Sequence, residues 1–203
     1  MYMHTENHYG LKQMLSQIGN ISSVHFDYSQ LSSKYEALLA GEMPNIFNPK
    51  MKTGALNDLG IYCVYPAIDL FGEPKSVIGE QHFLFTGADG SGSAILKYDD
   101  KIVTITYSKT AESRSKSQIL GDKGTITINS VSQLRGVKCY DDKGDIIDSL
   151  EDETKQSLMA NEARSMYKFL TDFEHNKGLY YECAATNQKV LTCMEKMRTE
   201  NGK

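Results

Sequence analysis

No apolar run in these 203 residues approaches the ~20 that a membrane-spanning helix requires. There is no basic surplus either. Lysine and arginine number 22 against 26 acidic residues, for a net charge of -4, and both signs are interspersed. A nucleic-acid surface needs a concentrated basic face, so neither membrane nor nucleic acid is an expected partner. The four cysteines, Cys63, Cys139, Cys183 and Cys193, lie far apart. They have neither the C-x-x-C spacing of a zinc site nor the density of a disulfide framework. Reduced thiols in a cytoplasmic protein are therefore expected. The opening MYMHTENHYG shows neither the basic nor the apolar part of a secretory signal.

What is present suits an ordinary soluble domain with a substantial hydrophobic core. Residues 10–18 place Leu11, Met14, Leu15 and Ile18 at helical spacing, and Gly19 and Asn20 stop the helix. ISSVHFDYSQ then alternates as a strand, with Val24, Phe26 and Tyr28 on one face. Residues 32–52 read as one helical turn followed by a loop punctuated by proline and asparagine. Such a long irregular stretch is more often functional than decorative.

Beyond residue 75 the period changes to two, with strands expected near 75–86, 93–99, 101–109, 114–120, 124–129 and 135–141. Turn chemistry such as GDKG and DDKG between them implies an antiparallel meander. In 101–109, Val103, Ile105 and Tyr107 share one face, while Ile102, Thr104 and Thr106 share the other. One sheet face should thus lie under helices, and the threonine-rich one meets water or another sheet. Two helices close the chain: Met159, Ala163, Met166, Leu170 and Phe173 form the apolar stripe of the first, and Cys183, Val190, Met194 and Met197 that of the second. The expected class is α+β, an open, mainly antiparallel sheet with helices on one face.

Familiar catalytic motifs are missing. GADGSG, Gly87 to Gly92, lies between strands and reads as a hairpin loop, and GDKGT as another turn. His4 and His8 have no third ligand nearby, and no nucleophile elbow or Cys–His couple is visible. Residues 53–71 differ. Leu56, Leu59, Cys63, Ala67 and Leu70 cover one side of this helix, and Ile61, Val64, Ile68 and Phe71 another. A narrow polar strip remains, Asp58, Tyr62, Tyr65 and Asp69, at i, i+4, i+7 and i+11. The helix should be buried, with that strip facing either bulk water or a cleft. A solvated face usually carries Lys, Glu and Arg; this one has none. Gly54 and Ala55 allow close approach at its start, and Pro66 frees a carbonyl and bends it.

GALNDLGIYCVYPAIDLFGEP resembles the helix that opens the C-terminal half of the glucose-fructose oxidoreductase/inositol dehydrogenase family (Gfo/Idh/MocA), whose pattern is roughly G-G-x-L-x-D-x-G-x-H. Gly54, Leu56, Asp58 and Gly60 fall on it, Ala55 replaces the second glycine, and Tyr62 replaces the histidine. That last departure is similar to the dimeric dihydrodiol dehydrogenase branch, as is FDYSQLSSKYEALLAGEMPNIFNP. The resemblance covers nearly the whole chain. It implies an enzyme moving hydride between NAD or NADP and a secondary alcohol or carbonyl of a sugar, polyol or dihydrodiol. It also implies Asp58 and Tyr62 as catalytic groups, with Tyr35, Phe47 and Asn48 as substrate contacts. The family's glycine-rich dinucleotide (Rossmann) domain and its Glu-Lys-Pro motif are not in this sequence. The expectation is therefore a C-terminal substrate-binding and oligomerisation domain, 21–203, preceded by a helix, 1–20, that follows the missing domain. Alone it should be inactive and bind no cofactor. A homodimer through the open sheet face is the implied assembly. The alternative is a stand-alone, non-catalytic ligand-binding or dimerisation module.

Overall fold

The computed structural model describes residues 2–199; Met1 and 200–203, the outer ends of the two segments assigned from sequence, lie outside them. Eight strands among the described residues form one sheet: β1 (Ile21–Ser29), β2 (Ser76–Phe83), β3 (Asp89–Lys97), β4 (Ile102–Ser108), β5 (Ser117–Gly121), β6 (Gly124–Ile128), β7 (Lys138–Asp141) and β8 (Ile146–Ser149). Their order is β2-β3-β4-β1-β5-β6-β7-β8. Every neighbouring pair is antiparallel except β1 with β4, which run parallel in the register Val24↔Val103, Phe26↔Ile105 and Tyr28↔Tyr107. A continuous meander is therefore corrected at one point: β4 and β5 are not neighbours, because β1 lies between them. The long segment from β1 to β2 carries a helix and supplies the crossover that a parallel pair needs. Strand β8, in a polar stretch with little alternation, was not anticipated.

The α+β expectation holds, with α1 (Glu6–Met14), α2 (Tyr35–Leu39), α3 (Ile61–Phe71), α4 (Lys155–Thr171) and α5 (Phe173–Thr199). Helix α1 starts earlier than its apolar spacing suggests, because Thr5 caps it by accepting from the His8 amide at 3.0 Å. The sheet face carrying Val24, Phe26, Val103, Ile105, Tyr107, Ile119 and Ile126 is fully buried. It shares one core with Leu11 and Met14 of α1, Cys63 and Val64 of α3, and Val190 and Met194 of α5. Ile78, Ile95 and Ile102 on the opposite face are exposed, and Thr104 and Thr106 half-buried.

The stripe assigned to α4 is not core. Met159, Met166 and Leu170 are exposed, the last at 86%, and Ala163 is exposed too. Helix α4 packs mainly on α5 and the turn at Tyr2–His4, and these leave that side of it uncovered. The α5 stripe is buried over β2 and α3 at Val190, Met194 and Met197, with Cys183 half-buried.

Candidate functional site

The polar strip begins where the chain turns from a loop into α3. Gly54 takes φ +145°, and the Asp89 carboxylate lies where a Cβ on it would stand. Asp89, from the start of β3, accepts a hydrogen bond from the Leu56 amide at 2.6 Å. The small residues of TGAL thus admit a carboxylate of this chain, which caps the helix. Burial pushes Asp89 above the usual carboxylate range, outweighing that bond. Leu56–Gly60 then form a π-helical turn, a local widening common at functional sites. Gly60 lets this turn press on the Tyr107 ring of β4: a Cβ there would stand 3.1 Å from it.

Asp58, on the π-turn, pairs with Lys109. The lysine side chain is 7% exposed and the aspartate 44%. Lys109 follows β4, held by its amide donating to the Gly90 carbonyl at 2.8 Å. Sequence reasoning missed this residue, although a signal was there. It continues the period-two face of Val103, Ile105 and Tyr107, so the alternation itself points a lysine inward, where it needs an anion.

Tyr62, one turn past Asp58, packs edge-on against Tyr28 with ring centres 5.4 Å apart. Burial, then the nearby Tyr28, Asp58 and Glu162, raise its phenol above the ordinary value of 10. It therefore stands protonated at neutral pH, a hydrogen-bond donor. Asp58, Tyr62 and Tyr65 line a cavity of about 570 Å³. Its other walls include Glu162, Met166 and Phe169 of α4, Tyr180 and Asn187 of α5, and the His4 ring. That volume suits a small-molecule site.

Asp69, the last member of the strip, faces neither water nor this cavity. Its side chain is 2% exposed. His8 Nε2 lies 2.8 Å from it, the Lys12 ammonium donates at 2.9 Å and the Tyr2 hydroxyl at 3.2 Å. Burial alone would raise its carboxyl, but the bonds to His8 and Lys12 outweigh that and hold it below the ordinary value. The strip divides accordingly: its first turns open on the cavity, and its last joins α1 to α3.

Tyr35, Phe47 and Asn48 are not brought to Asp58 and Tyr62; none of them lines that cavity. Phe47 is fully buried with its ring 6.0 Å from that of Tyr35, and the Asn48 carboxamide accepts from the Lys50 amide at 3.1 Å. Tyr35 opens α2, and Phe47 and Asn48 lie in the segment that follows it.

The chain is thus an open sheet covered by helices on one side, with an acid and a phenol along one helical stretch of that cover. A family model described as the GFO/IDH/MocA C-terminal domain matches residues 11–127, which include Asp58, Tyr62 and Lys109, and the chain belongs to that family. It is 37% identical over 169 residues to the uncharacterized oxidoreductase YgjR of Escherichia coli K12, covering 83% of this chain and 51% of that protein. It is 39% identical over 128 residues to the scyllo-inositol 2-dehydrogenase (NADP(+)) IolU of Bacillus subtilis 168, covering 63% of this chain and 39% of that one. The chain thus spans about half the length of the first relative and less of the second. Among solved structures, KijD10, a 3-ketoreductase from Actinomadura kijaniata with TDP-benzene and NADP, aligns with a TM-score of 0.71 at 15% identity, over 98% of this chain and 59% of that one. An NAD binding oxidoreductase from Klebsiella pneumoniae gives 0.70 at 16%, over 99% and 64%. At such identities the likeness is one of fold.

Proposed function

We propose that this chain is the substrate-binding and self-associating part of an NAD(P)-dependent oxidoreductase. The enzyme would interconvert a secondary alcohol and its carbonyl on a sugar, cyclic polyol or dihydrodiol. The observation that carries the reading is the Asp58–Tyr62 pair, one helical turn apart on the rim of a 570 Å³ cavity, in a chain of this family. The name of one relative agrees with it, a scyllo-inositol 2-dehydrogenase (NADP(+)).

The residues described here do not fit the dinucleotide itself. A pyrophosphate asks for a glycine-rich turn leading into a helix whose first amides are open. At the start of the π-turn that leads into α3, the Asp89 carboxylate already occupies the Leu56 amide. NAD(P), the source or acceptor of hydride, accordingly belongs on another part of the enzyme, and this chain alone should neither bind it nor turn over.

What the chain's own residues do is place the ring and move a proton. Tyr62, held protonated, donates to the substrate oxygen, which suits reduction of a carbonyl; in the reverse direction the same oxygen returns the proton. A phenol raised above its ordinary value is scarcely ionised at neutral pH, so accepting the proton in oxidation needs a cation beside Tyr62 that favours the phenolate. Lys109 cannot fill that role while it is paired with Asp58. The exposed part of the Asp58 carboxylate accepts from a ring hydroxyl, with Lys109 fixing its orientation. Asp58→Asn should therefore raise KM as well as lower kcat. Separately, exposed Ile78, Ile95 and Ile102 on the open sheet face support self-association there.

The reaction class is tested by label transfer. With the chain joined to a dinucleotide-binding half, reduced nicotinamide dinucleotide carrying deuterium at both C4 positions should deliver deuterium to the carbinol carbon of a reduced ring ketone. Product without deuterium at carbon would exclude hydride transfer.

A further inference from the structure

We infer that Tyr65 and Asn187 bind ring hydroxyls remote from the reacting one, so that the Asp58–Tyr62 cavity selects a ring carrying several hydroxyls over a simple cyclic diol. The inference deepens the reading of this cavity as a substrate site and rests on it.

Other phenols around α3 serve the fold. The Tyr2 hydroxyl donates to Asp69 at 3.2 Å, and the Tyr98 hydroxyl to the Gly72 carbonyl at 2.9 Å. Tyr65 differs. Its ring is half-buried and rests against that of Tyr2, with centres 6.0 Å apart. Yet its hydroxyl has no hydrogen-bond partner among the described residues, and it is open to the cavity rather than sealed in the core. Burial, then Cys183 and Asp69, raise this phenol above its ordinary value of 10. At neutral pH it therefore offers a proton as well as lone pairs.

Position links Tyr65 to the reacting group. It follows Tyr62 by three residues on α3, on the same side of the helix and ~4.5 Å further along its axis. That step is comparable to the span across a six-membered ring. A ring whose reacting oxygen meets Tyr62 can thus bring a second hydroxyl to Tyr65.

Helix α5 supplies a facing group. It lines the cavity with Tyr180, Cys183, Ala184 and Asn187, at i, i+3, i+4 and i+7, one face of the helix. Cys183 and Ala184 are small and leave room for a ring. The Asn187 carboxamide has no hydrogen-bond partner among the described residues, and it both donates and accepts. Met166 and Phe169 of α4 offer apolar surface to the C–H faces of a ring. Water satisfies Tyr65 and Asn187 while the cavity is empty. A simple diol displaces that water without replacing its hydrogen bonds and loses affinity; a polyol replaces them.

The test is binding by the 203-residue chain, read by ligand-observed NMR. The probes are myo-inositol and D-glucose, each with its monodeoxy forms, and trans-1,2-cyclohexanediol. At least one polyol should bind more tightly than the diol. Tyr65→Phe and Asn187→Leu should each weaken that polyol about three- to tenfold, the worth of one neutral hydrogen bond, and leave the diol unaffected. One monodeoxy form should bind the unaltered chain more weakly than its parent and lose nothing more in Tyr65→Phe. The urea midpoint of Tyr65→Phe should not move, because its hydroxyl holds nothing in the fold. A diol bound as tightly as both polyols overturns the inference, as does failure of both polyols to bind. So does a Tyr65→Phe or Asn187→Leu chain that holds the polyol as well as the unaltered one, or equal weakening of the parent and every deoxy form in Tyr65→Phe. Because the readout is binding, the expected pattern without hydride transfer in the joined enzyme would defeat the oxidoreductase reading alone. Hydride transfer with an indifferent Tyr65 would defeat this inference alone.

Discussion

Removing either partner of the Lys109–Asp58 pair breaks the same ion pair, yet the two substitutions should differ in cost. The lysine side chain is 7% exposed, whereas the aspartate is 44% exposed. Asp58→Asn leaves a buried ammonium facing a neutral amide. Stranding a buried charge costs about 3–5 kcal/mol. Water reaches this pair from the aspartate side and screens it, so about 1–3 kcal/mol is the appropriate range. Lys109→Met removes the buried charge, keeps an apolar stem of similar length and leaves Asp58 against solvent; it should cost less than about 1 kcal/mol. The double variant should recover part of what Asp58→Asn loses. Urea unfolding followed by circular dichroism measures all three, with an unchanged m-value as the check that the folded state is intact. A Lys109→Met variant as destabilised as Asp58→Asn would refute the reasoning, because the penalty would then not lie in the buried ammonium.

Other outcomes follow from the same geometry. Asp69, held below its ordinary value by His8 and Lys12, binds its proton more weakly folded than unfolded. Its stabilisation is present above the unfolded carboxylate range of about 3.9 and fades as pH falls through its lowered folded value; Asp69→Asn should flatten the acid side of a melting-temperature profile, and an unchanged slope would count against the Tyr2–His8–Lys12 network. Gly54→Ala drives a Cβ into the Asp89 carboxylate at φ +145°. It should cost about 1–3 kcal/mol, and a neutral result in chemical denaturation would show that the α3 start can shift. If the open sheet face self-associates, Ile95→Lys should lower the sedimentation mass at fixed concentration without unfolding the chain; an unchanged mass would remove that face from the assembly.

Periodicity read the sheet face well because alternation and burial share one cause. Val103, Ile105 and Tyr107 point the same way whatever their neighbours are. The same rule hides which strands pair, since β1 has one pattern whether β4 or β5 lies beside it, and only the crossover through α3 permits the parallel choice. The Asp58–Tyr62 stripe was legible as a polar line on an apolar helix. Its division was not, because nothing within residues 53–71 says that Tyr2, His8 and Lys12 will close over Asp69. Lys109 could have been noticed at the end of an inward-facing row. Helix α4 shows the opposite limit: a regular apolar stripe at Met159, Met166 and Leu170 says what seeks cover, while the structure leaves it exposed.

The most direct test of the central assignment is Tyr62→Phe in the chain joined to a dinucleotide-binding half, with kcat and KM measured for reduction of a ring ketone. Loss of a positioned proton donor should lower kcat by about 10²–10⁴-fold with little change in KM, because the ring contacts of Asp58 and the cavity wall remain. Near-normal kcat in the phenylalanine variant would contradict the assignment and remove Tyr62 from the chemistry.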